Sequence, residues 1–325
     1  MADNRVGAAH DPPETVADVG EFGLIARVTA GRKQPPTTLI GPGDDAALVA
    51  AADARVVAST DVLVEGVHFR LDCSTPEHVG SKAIAVNMAD IAAMGAVPTA
   101  LLVGLACPKT TRAEVAEALA AGMWEEAAAA GAGLVGGDVV TASEIVISVT
   151  ALGDLQGREP VTRGGAMPGD VVAVAGRLGW AAAGLAVLGR GFRSPVQVVG
   201  AYRVPEPPYA AGPQAALAGA TAMIDVSDGL LADLGHLCEE SNVAIDVRTD
   251  MLEVPQRLVD VATALGADPV HWVLTGGEDH ALAATFPEAA AVPAGWRPIG
   301  TVTRGGAVTV DGGPYEGGAG WQHFR

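Results

Sequence analysis

Acidic residues of this chain recur at the points where apolar runs end. Five stretches share this pattern: GDD at 43–45, STD at 59–61, NMAD at 87–90, GGD at 136–138 and DVSDG at 225–229. A sixth, TGGED at 275–279, adds two more acids. Carboxylates gathered at the ends of apolar elements repel one another unless a cation joins them. Hard ions such as Mg²⁺ take oxygen ligands and usually bridge carboxylates to phosphates. The pattern therefore predicts a metal-dependent, phosphate-handling site assembled from both halves of the chain.

The composition narrows the possible partners. The 325 residues, 49% of them hydrophobic, have room for two domains with buried cores. The formal net charge is −18 and lysine occurs only at Lys33, Lys82 and Lys109, which argues against a nucleic-acid-binding surface. The acidity is also typical of a soluble surface. An anionic substrate would need either metal ions or a local arginine patch to approach such a chain.

Cysteine usage and hydropathy predict a cytoplasmic location. Cys73, Cys107 and Cys238 are far apart and form no CxxC pair, which favours reduced thiols over a zinc site. The first residues are acidic and polar, unlike a signal or transit peptide. No apolar stretch is long enough to span a bilayer. We therefore expect neither a membrane nor a nucleic acid as partner.

Polar and turn-forming stretches of the sequence predict a division of the chain into three parts. Residues 1–18 are predicted to be a disordered tail, 19–153 an N-terminal domain and 154–325 a C-terminal domain, with the turn-rich GDLQGR at 153–158 between them. A helix is predicted over 76–95, with Pro76 at its start and Gly95 beyond its end. Another is predicted over 111–130, with Thr111 as its N-cap. Helices and strands alternate without a regular βαβ period, which predicts an α+β fold.

Two acids are out of place in their surroundings. Asp61 stands within a β-branched run, and Asp90 lies in an apolar helical stretch, where an uncompensated carboxylate costs several kcal/mol. Asp90 could bind a metal ion, or it could pair with Lys82 or an arginine.

The DVSDG segment is the most specific of the motifs. Period-2 alternation places Asp225 and Ser227 on one face of a strand at 222–226, and Asp228 is predicted to begin the next helix. N-capping would explain Asp228 but not Asp225. A helix N-terminus at this point would also favour a bound phosphate.

The remaining candidates each admit two interpretations. Gly136 and Gly137 could let a ligand approach backbone amides, or could form a plain turn. Arg163, in a glycine-rich loop, could bind phosphate or simply lie on the surface. His68 could be a core histidine, and Glu278 could belong to a loop or contact a substrate. The chain has no P-loop and no protein-kinase motif, which excludes both of those kinase classes.

Taken together and in order, the motifs resemble those of the thiamine-monophosphate kinase family, within the aminoimidazole ribonucleotide synthetase superfamily of ATP-binding proteins. The segments that carry the resemblance are GEFGLIARV, GPGDDAAL, STDVLVEGVHF, KAIAVNMADIAAMGA, LVGGDVV, TRGGAMPGD, MIDVSDGLLADLGH, LTGGEDHAL and GWQHF. They extend from about residue 20 to residue 324. The resemblance implies Mg²⁺-assisted transfer of the ATP γ-phosphoryl group to thiamine monophosphate. It also implies a homodimer in which N-terminal strands of two chains share a barrel, with ATP near the interface and a C-terminal α/β sandwich domain.

The resemblance also implies roles for individual residues. Several Mg²⁺ ions would be held by Asp45, Ser59, Thr60, Asp61, Asp90, Asp138, Asp225 and Asp228. The residues expected to hold ATP are Gly137, Asp138, Arg163 and Ser227, and those expected to act in catalysis are Asp61, Asp90, Asp225 and Arg163. Thiamine would contact His68, Glu278 and Trp321, the last by cation–π stacking on the thiazolium.

Other members of the superfamily fit less well. The hydrogenase-maturation branch keeps a C-terminal cysteine and the selenide dikinase branch an N-terminal Cys or selenocysteine, and this chain has neither. The purine-synthesis ligases match the STD, GGED and GWQHF segments less closely. A non-catalytic nucleotide-binding partner that has kept its acids is the alternative from another class.

Overall fold

The computed structural model describes residues 13–43, 46–318 and 320. The α-helices in this part of the chain are α1 (Val16–Val19), α2 (Glu21–Thr29), α3 (Pro76–Ala93), α4 (Ala113–Ala129), α5 (Trp180–Gly189), α6 (Val196–Arg203), α7 (Ala211–Leu217), α8 (Leu230–Ser241), α9 (Gln256–Leu265) and α10 (Pro269–Thr275). The strands are β1 (Thr38–Ile40), β2 (Leu48–Val49), β3 (Val57–Val64), β4 (Val97–Cys107), β5 (Gly133–Thr141), β6 (Val146–Asp154), β7 (Val171–Ala175), β8 (Ala222–Val226), β9 (Ala244–Val247), β10 (Ala281–Phe286), β11 (Arg297–Thr303) and β12 (Val308–Val310).

A four-stranded sheet forms the first half of the fold. Its strand order is β3-β6-β4-β5; β6 is antiparallel to β3 and β4, whereas β5 is parallel to β4. Helix α4 connects the two parallel strands, as such a crossover requires. Apolar residues on one sheet face, among them Leu101, Ile147 and Val149, are fully buried in the cluster that also holds Ile84 and Leu119 of α3 and α4.

A six-stranded sheet forms the second half. Its order is β12-β9-β11-β7-β10-β8, with antiparallel pairs except for β9 and β12. All residues of β8 and β10 are buried. This burial explains why both strands are apolar except at Asp225 and Thr285, rather than alternating.

Helix α3 lies between the two sheets. It packs against β3 and β6 of the first sheet and against β8 and β10 of the second. Ala92 and Ala93 share a core cluster with Met223 and Leu282. Side chains of this one helix therefore reach both halves of the molecule.

The predicted start and end of α3 are confirmed. The Thr75 side chain accepts a hydrogen bond from the His78 amide, and the His78 ring interacts with the Thr75 amide in return. Pro76 occupies the first turn, where its missing N–H costs nothing. Gly95, just past the end, has φ +74°, a conformation that favours glycine.

The N-terminal prediction is wrong for residues 14–18. Thr15 caps α1 and forms an isolated bridge with Arg112. The Val16 amide donates to Thr111 O, and the Ala113 amide donates to Glu14 O, both at 2.8 Å. This pairing also overturns the predicted cap of α4. Its N-cap residue is Arg112 rather than Thr111, and its first backbone groups bond to the N-terminal segment instead of a capping side chain.

The predicted start of α8 is also wrong. The helix begins at Leu230 after Gly229, and Asp228 lies in the preceding turn. Asp233, from within the first turn, accepts hydrogen bonds from the amides of Asp228 and Gly229, both at 3.1 Å. A carboxylate inside the helix thus binds the amides of the turn before it, including that of the residue predicted to be the cap.

The mixed α/β character is confirmed, and α6, α9 and α10 are additional helices that the sequence patterns did not predict. Cys73, Cys107 and Cys238 are buried free thiols, as expected. Among the described residues, none of the helices is long and apolar enough to cross a bilayer. The domain boundaries and the barrel shared across a dimer stay predictions.

Candidate active site

Strand β3 and helix α3 place the first group of predicted residues together. Ser59 Oγ donates to Asp90 Oδ2 at 2.6 Å. The Asp61 amide donates to Asn87 Oδ1 at 3.0 Å, and Asn87 is itself fixed by donating to Ala83 O within α3. The STD and NMAD segments therefore form one unit that holds two carboxylates between a strand and a helix.

Strand β8 brings Asp225 to the same region. Asp225 is buried, and its Oδ2 lies 3.1 Å from Nδ1 of His280, which is also buried. His280 and Glu278 both have left-handed backbone conformations, with φ +51° and +72°. Non-glycine residues rarely adopt such angles outside sites where the surroundings enforce them. The end of the GGED loop is thus held in a strained arrangement beside Asp225.

A cavity of about 480 Å³ opens between the two halves at this point. Ser59 and Asp90 line it from one side, and Arg163, Asp225 and Glu240 line it from the other. Residues from distant parts of the sequence therefore face one space, large enough for part of a nucleotide or its phosphates.

The acids at this cavity perturb one another. Burial, followed by the charge of Asp225, raises the pKa of Asp90 to about 7, although the bond from Ser59 opposes the shift. Burial also raises the pKa of Asp61, and the charge of Asp225 adds to it. Burial is the largest effect on the pKa of His280 and lowers it, but the hydrogen bond to Asp225 and the charges of Asp225 and Glu278 together outweigh burial and raise the pKa overall. The site carries more negative charge than its surroundings neutralise, a condition that a bound cation would relieve.

The DVSDG and TGGED loops interlock through their backbones. A Cβ on Gly229 would collide with Thr275 O, and one on Gly277 would collide with Ser227 O. The Glu278 amide donates to Ser227 O at 2.7 Å. Ser227 and Asp228 therefore lie just beyond the C-terminal end of β8, beside the loop that carries Glu278. Gly320 packs against Asp228 O, which brings the C-terminal segment to the same turn.

The hydroxyl of Ser241 joins the glycine-rich loop of Arg163 to the end of α8. Ser241 Oγ donates to Arg163 O at 2.9 Å and accepts from the amides of Gly165 and Ala166, both at 3.1 Å. Gly164 and Gly165 lie against backbone oxygens, so larger residues would push the loop outward. The predicted phosphate-binding arginine is thus presented to the cavity by a loop attached to the end of α8.

Lys82 contacts both of the predicted thiamine-binding residues, His68 and Glu278. Lys82 forms an ion pair with Glu278 and donates to His68 O at 3.2 Å. His68 Nδ1 accepts from the Val64 amide at 3.0 Å. Burial raises the pKa of Glu278, but the charges of Lys82 and then His280 outweigh it and lower the pKa below its ordinary value. The alternative partner considered for Lys82 was Asp90; its partner is Glu278 instead.

Gly137 and Asp138 are not brought to this cavity within one chain. They lie on β5, three strands from Asp61 on β3, a separation of about 14 Å at normal strand spacing. A Cβ on Gly137 would collide with Val103 O of β4. The neighbouring strand therefore requires a glycine at this position, and its approach to a ligand stays a prediction.

Thr60 points away from its neighbours on β3. Its hydroxyl donates to Val149 O at 2.9 Å and accepts from Thr150 Oγ1 at 3.3 Å. Alternation along the strand places Ser59 and Asp61 on the α3 side and Thr60 on the opposite face, in the row of Leu102 and Gly136. Asp45 and Trp321, two further predicted site residues, and Asp44 lie outside the described residues.

Comparison with known proteins identifies the family. Residues 43–155 match the family model for the AIR synthase related protein, N-terminal domain. A thiamine-monophosphate kinase from Mycobacterium tuberculosis is 56% identical over 312 residues, covering 95% of this chain and 93% of that protein. The chain belongs to the thiamine-monophosphate kinase family. The predicted resemblance is therefore confirmed.

Solved structures of thiamine-monophosphate kinases share the fold. The crystal structure of the enzyme from Aquifex aeolicus has 30% sequence identity and a TM-score of 0.76, covering 92% of this chain and 98% of that one. The structure of AaThiL complexed with AMPPCP and TMP has 31% identity and a TM-score of 0.76, covering 98% of this chain and all of that one. The similarity extends through both sheets, not only the segment matched by the family model.

The donor set of this thiamine-monophosphate kinase suits magnesium bridged to phosphate. Within the described residues, no three carboxylate, imidazole or thiol groups are clustered tightly enough to hold a metal ion by themselves. Mg²⁺ commonly takes one or two carboxylates and completes its shell with water and substrate phosphates. The raised pKa values of Asp61 and Asp90 record uncompensated charge of the sign that such an ion would neutralise. These residues fit Mg²⁺ as a bridge to substrate better than as a protein cage.

Four residues of the site were missed by sequence reasoning: Lys82, Asn87, Asp233 and His280. Lys82, Asn87 and His280 lie inside quoted motifs, but a spacing pattern cannot show which partner each one bonds. Lys82 offered the clearest signal, because a lysine in a run such as KAIAV, on a helix with mostly buried residues, needs a compensating partner.

Proposed function

We propose that this protein transfers the γ-phosphoryl group of ATP to thiamine monophosphate, giving thiamine diphosphate and ADP. The family supports this reaction, as does the binding of AMPPCP and TMP by AaThiL. The observation that carries it is the cavity at which Asp90 and Ser59 face Arg163 and Asp225 from opposite halves. Such a pairing of acids and arginine suits two polyanionic reactants held by metal ions.

The main obstacle to this reaction is electrostatic. Two like charges 4 Å apart repel by about 4 kcal/mol at an effective dielectric constant near 20. Thiamine monophosphate and ATP each bring several such charges to the site. Bound Mg²⁺ supplies neutralisation of the transferred phosphoryl group. We assign its binding to Asp90 and Asp225, which line the cavity, and to Asp61, which follows the lining residue Ser59 on β3. The further ligands implied by the motifs are Asp45, Ser59, Thr60, Asp138 and Asp228.

The protein's own groups then align the reactants. The attacking atom is a phosphate oxygen, which is anionic near neutral pH, so no strong general base is needed. Arg163 supplies a planar cationic fork for a phosphate of the nucleotide. Ser227, together with Gly137 from the other subunit of the dimer proposed below, would hold its other phosphate oxygens. Positioning and charge neutralisation account for the catalysis of in-line phosphoryl transfer.

Thiamine binds beside the phosphate site in this proposal. His68 and Glu278 lie on either side of Lys82 at the junction of the halves. Trp321 follows Gly320, which packs against the DVSDG turn. A tryptophan there would stack on the positive thiazolium, an interaction worth roughly 0.5–2 kcal/mol.

The active form is proposed to be a homodimer. The sheet face opposite α3 exposes apolar side chains, with Val62, Leu102 and Val140 each at least 40% exposed. A contiguous apolar sheet face in water is a common interaction surface. If two such faces close a shared barrel, β5 of one subunit lies beside β3 of the other. Gly137 and Asp138 of the partner subunit would then complete the site around Thr60 and Asp61.

The domain division follows the same reasoning. We propose that residues 19–153 form the N-terminal domain for dimerisation and Mg²⁺–ATP binding, and that 154–325 complete the nucleotide and substrate sites. The two sheets, which end and begin at Asp154 and Val171, support this division. A cytoplasmic location stays a prediction of the sequence.

A coupled assay of ADP release tests the reaction. The protein is mixed with ATP and Mg²⁺, and with thiamine, thiamine monophosphate or an aminoimidazole precursor in parallel. We expect turnover with thiamine monophosphate alone. We also expect Asp61→Asn and Asp225→Asn to lose turnover by on the order of 100-fold or more while keeping the wild-type circular dichroism spectrum.

Two outcomes would contradict the proposal. Near-normal activity in either variant would refute the assignment of these carboxylates to the metal. Absence of Mg²⁺-dependent ADP release with thiamine monophosphate would favour a non-catalytic nucleotide-binding protein.

A further inference from the structure

We propose that Lys82 is a positioning residue that fixes both thiamine-contacting residues, His68 and Glu278, across the junction of the two halves. The inference rests on the proposed function, because it takes those two residues to contact thiamine. Nothing in the sequence motifs assigns a role to this lysine. Its contacts in the structure indicate this role.

Lys82 is buried, and protein groups surround its ammonium nitrogen. The residue is 3% exposed. Its ammonium group has three N–H donors. One faces His68 O at 3.2 Å and one is taken by Glu278, while the ring of Tyr202 lies 5.0 Å from Nζ. Two protein acceptors and a cation–π contact with Tyr202 around one buried ammonium group indicate that Lys82 holds protein groups rather than substrate.

The partners come from separate parts of the fold. His68 follows β3 in the first half, whereas Glu278 belongs to the loop before β10 and Tyr202 to α6 in the second half. Lys82 projects from α3, the helix that lies between the sheets. One side chain therefore sets the spacing between the two halves of the proposed thiamine pocket.

The ion pair also fixes how Glu278 can act. Its left-handed backbone, at φ +72°, persists only where contacts hold it. Because Lys82 binds Oε2, the carboxylate carries little net charge toward a ligand and presents Oε1 as an acceptor. Such a group suits an amino substituent on the substrate's pyrimidine more than its cationic thiazolium.

The test compares Lys82→Met with Lys109→Met, a matched change at an exposed lysine. We expect Lys82→Met to raise KM for thiamine monophosphate on the order of 10-fold to 100-fold, as displaced positioning groups do. KM for ATP should stay within about 2-fold, because Arg163 and Ser227, the residues assigned to ATP, are not among the bonding partners of the Lys82 ammonium group. Lys109→Met should change neither constant.

A double variant keeps the inference testable if Lys82→Met does not fold. Lys82→Met/Glu278→Gln leaves no unpaired buried charge, so it should fold. If Lys82 also fixes His68, the double variant has a higher KM for thiamine monophosphate than Glu278→Gln alone. Equal values would overturn the inference, and so would equal rises in both KM values of Lys82→Met. Absence of wild-type turnover with thiamine monophosphate would overturn the proposed function and this inference with it.

Discussion

At the scale of single residues, the site is a set of carboxylates whose charges interact. Asp90 shows this most clearly, since burial and the nearby Asp225 raise its pKa to about 7. The hydrogen bond from Ser59 and, to a smaller extent, the charge of His280 favour its ionised form. Such a buried carboxylate destabilises the metal-free protein. It also provides a site at which a cation binds well.

The raised pKa of Asp90 predicts how the stabilities of the wild type and the Asp90→Asn variant differ with pH. The folded-state pKa, about 7, lies above the unfolded value near 3.9, so between these values the folded state holds the proton more strongly. The free energy of unfolding contributed by Asp90 therefore falls as the pH rises through that window. Asparagine cannot ionise, so in EDTA the variant should lose less stability from pH 5 to pH 8 than the wild type, by on the order of 1 kcal/mol or more.

Thermal or urea unfolding across that pH range measures the effect. Asp260→Asn, at an exposed position of α9, serves as the matched control and should follow the wild-type curve. Parallel curves for Asp90→Asn and the wild type would show that Asp90 is not buried against other charges.

At the scale of elements, the start of α5 depends on a residue almost a hundred positions away. The Ala181 amide donates to Asp279 Oδ1 at 2.8 Å, and the residue before the helix is Gly179, which has no side chain to cap it. Burial raises the pKa of Asp279 to about 7, although the backbone hydrogen bonds oppose the shift. Asp279 therefore caps a helix, whereas its neighbours Glu278 and His280 belong to the site.

Two substitutions distinguish the helix-capping role of Asp279 from the effect of its buried charge on stability. Asp279→Ala removes the acceptor and should lower the free energy of unfolding by about 0.5–2 kcal/mol. Asp279→Asn keeps an acceptor oxygen and removes a buried charge, so at pH 8 its stability should equal or exceed that of the wild type. Urea unfolding measures both. Loss of turnover in a folded Asp279→Asn variant would instead place this residue in the chemistry.

At the scale of the whole molecule, one chain holds an incomplete set of the predicted ligands. Asp61 and Asp138 lie at opposite edges of the four-stranded sheet. The proposed dimer brings Asp138 of the partner subunit to Asp61. In that arrangement each of two equivalent sites takes one of these residues from each chain.

Mixing two inactive variants tests this arrangement. Asp61→Asn and Asp138→Asn chains are each expected to be inactive as homodimers. After unfolding and refolding together, half of the dimers are mixed, and one of their two sites contains both wild-type carboxylates. We expect recovery of about a quarter of wild-type activity, the value that a symmetric dimer with shared sites requires.

Two further results bear on that prediction. Mixing Asp61→Asn with Asp90→Asn is the matched control and should recover nothing, because both residues belong to the same chain's half of the site. No recovery with Asp138→Asn, from dimers verified by light scattering, would mean that each chain supplies its own Asp138.

Local sequence decided much of the fold. Strand β8 was predicted over 222–226, and α3 from Pro76 and Gly95, since these signals act over a few residues. The patterns failed where the bonding partner was not the one that the local motif indicated. The Ala113 amide of α4 donates to Glu14 O, from a distant segment, and the turn before α8 donates to Asp233, from within the helix itself.

The chemical class of the site was determined by the sequence alone, because carboxylates, glycines and an arginine at the ends of apolar runs restrict the chemistry to cations and phosphates. Only the tertiary structure decided which of them meet. It placed Asp90 with Ser59, Asp225 with His280 and Lys82 with Glu278, and it left Asp138 at the far edge of the sheet. The physical reason is that pairing across 30 to nearly 200 residues depends on how α3 packs between two sheets, and no local pattern records that packing.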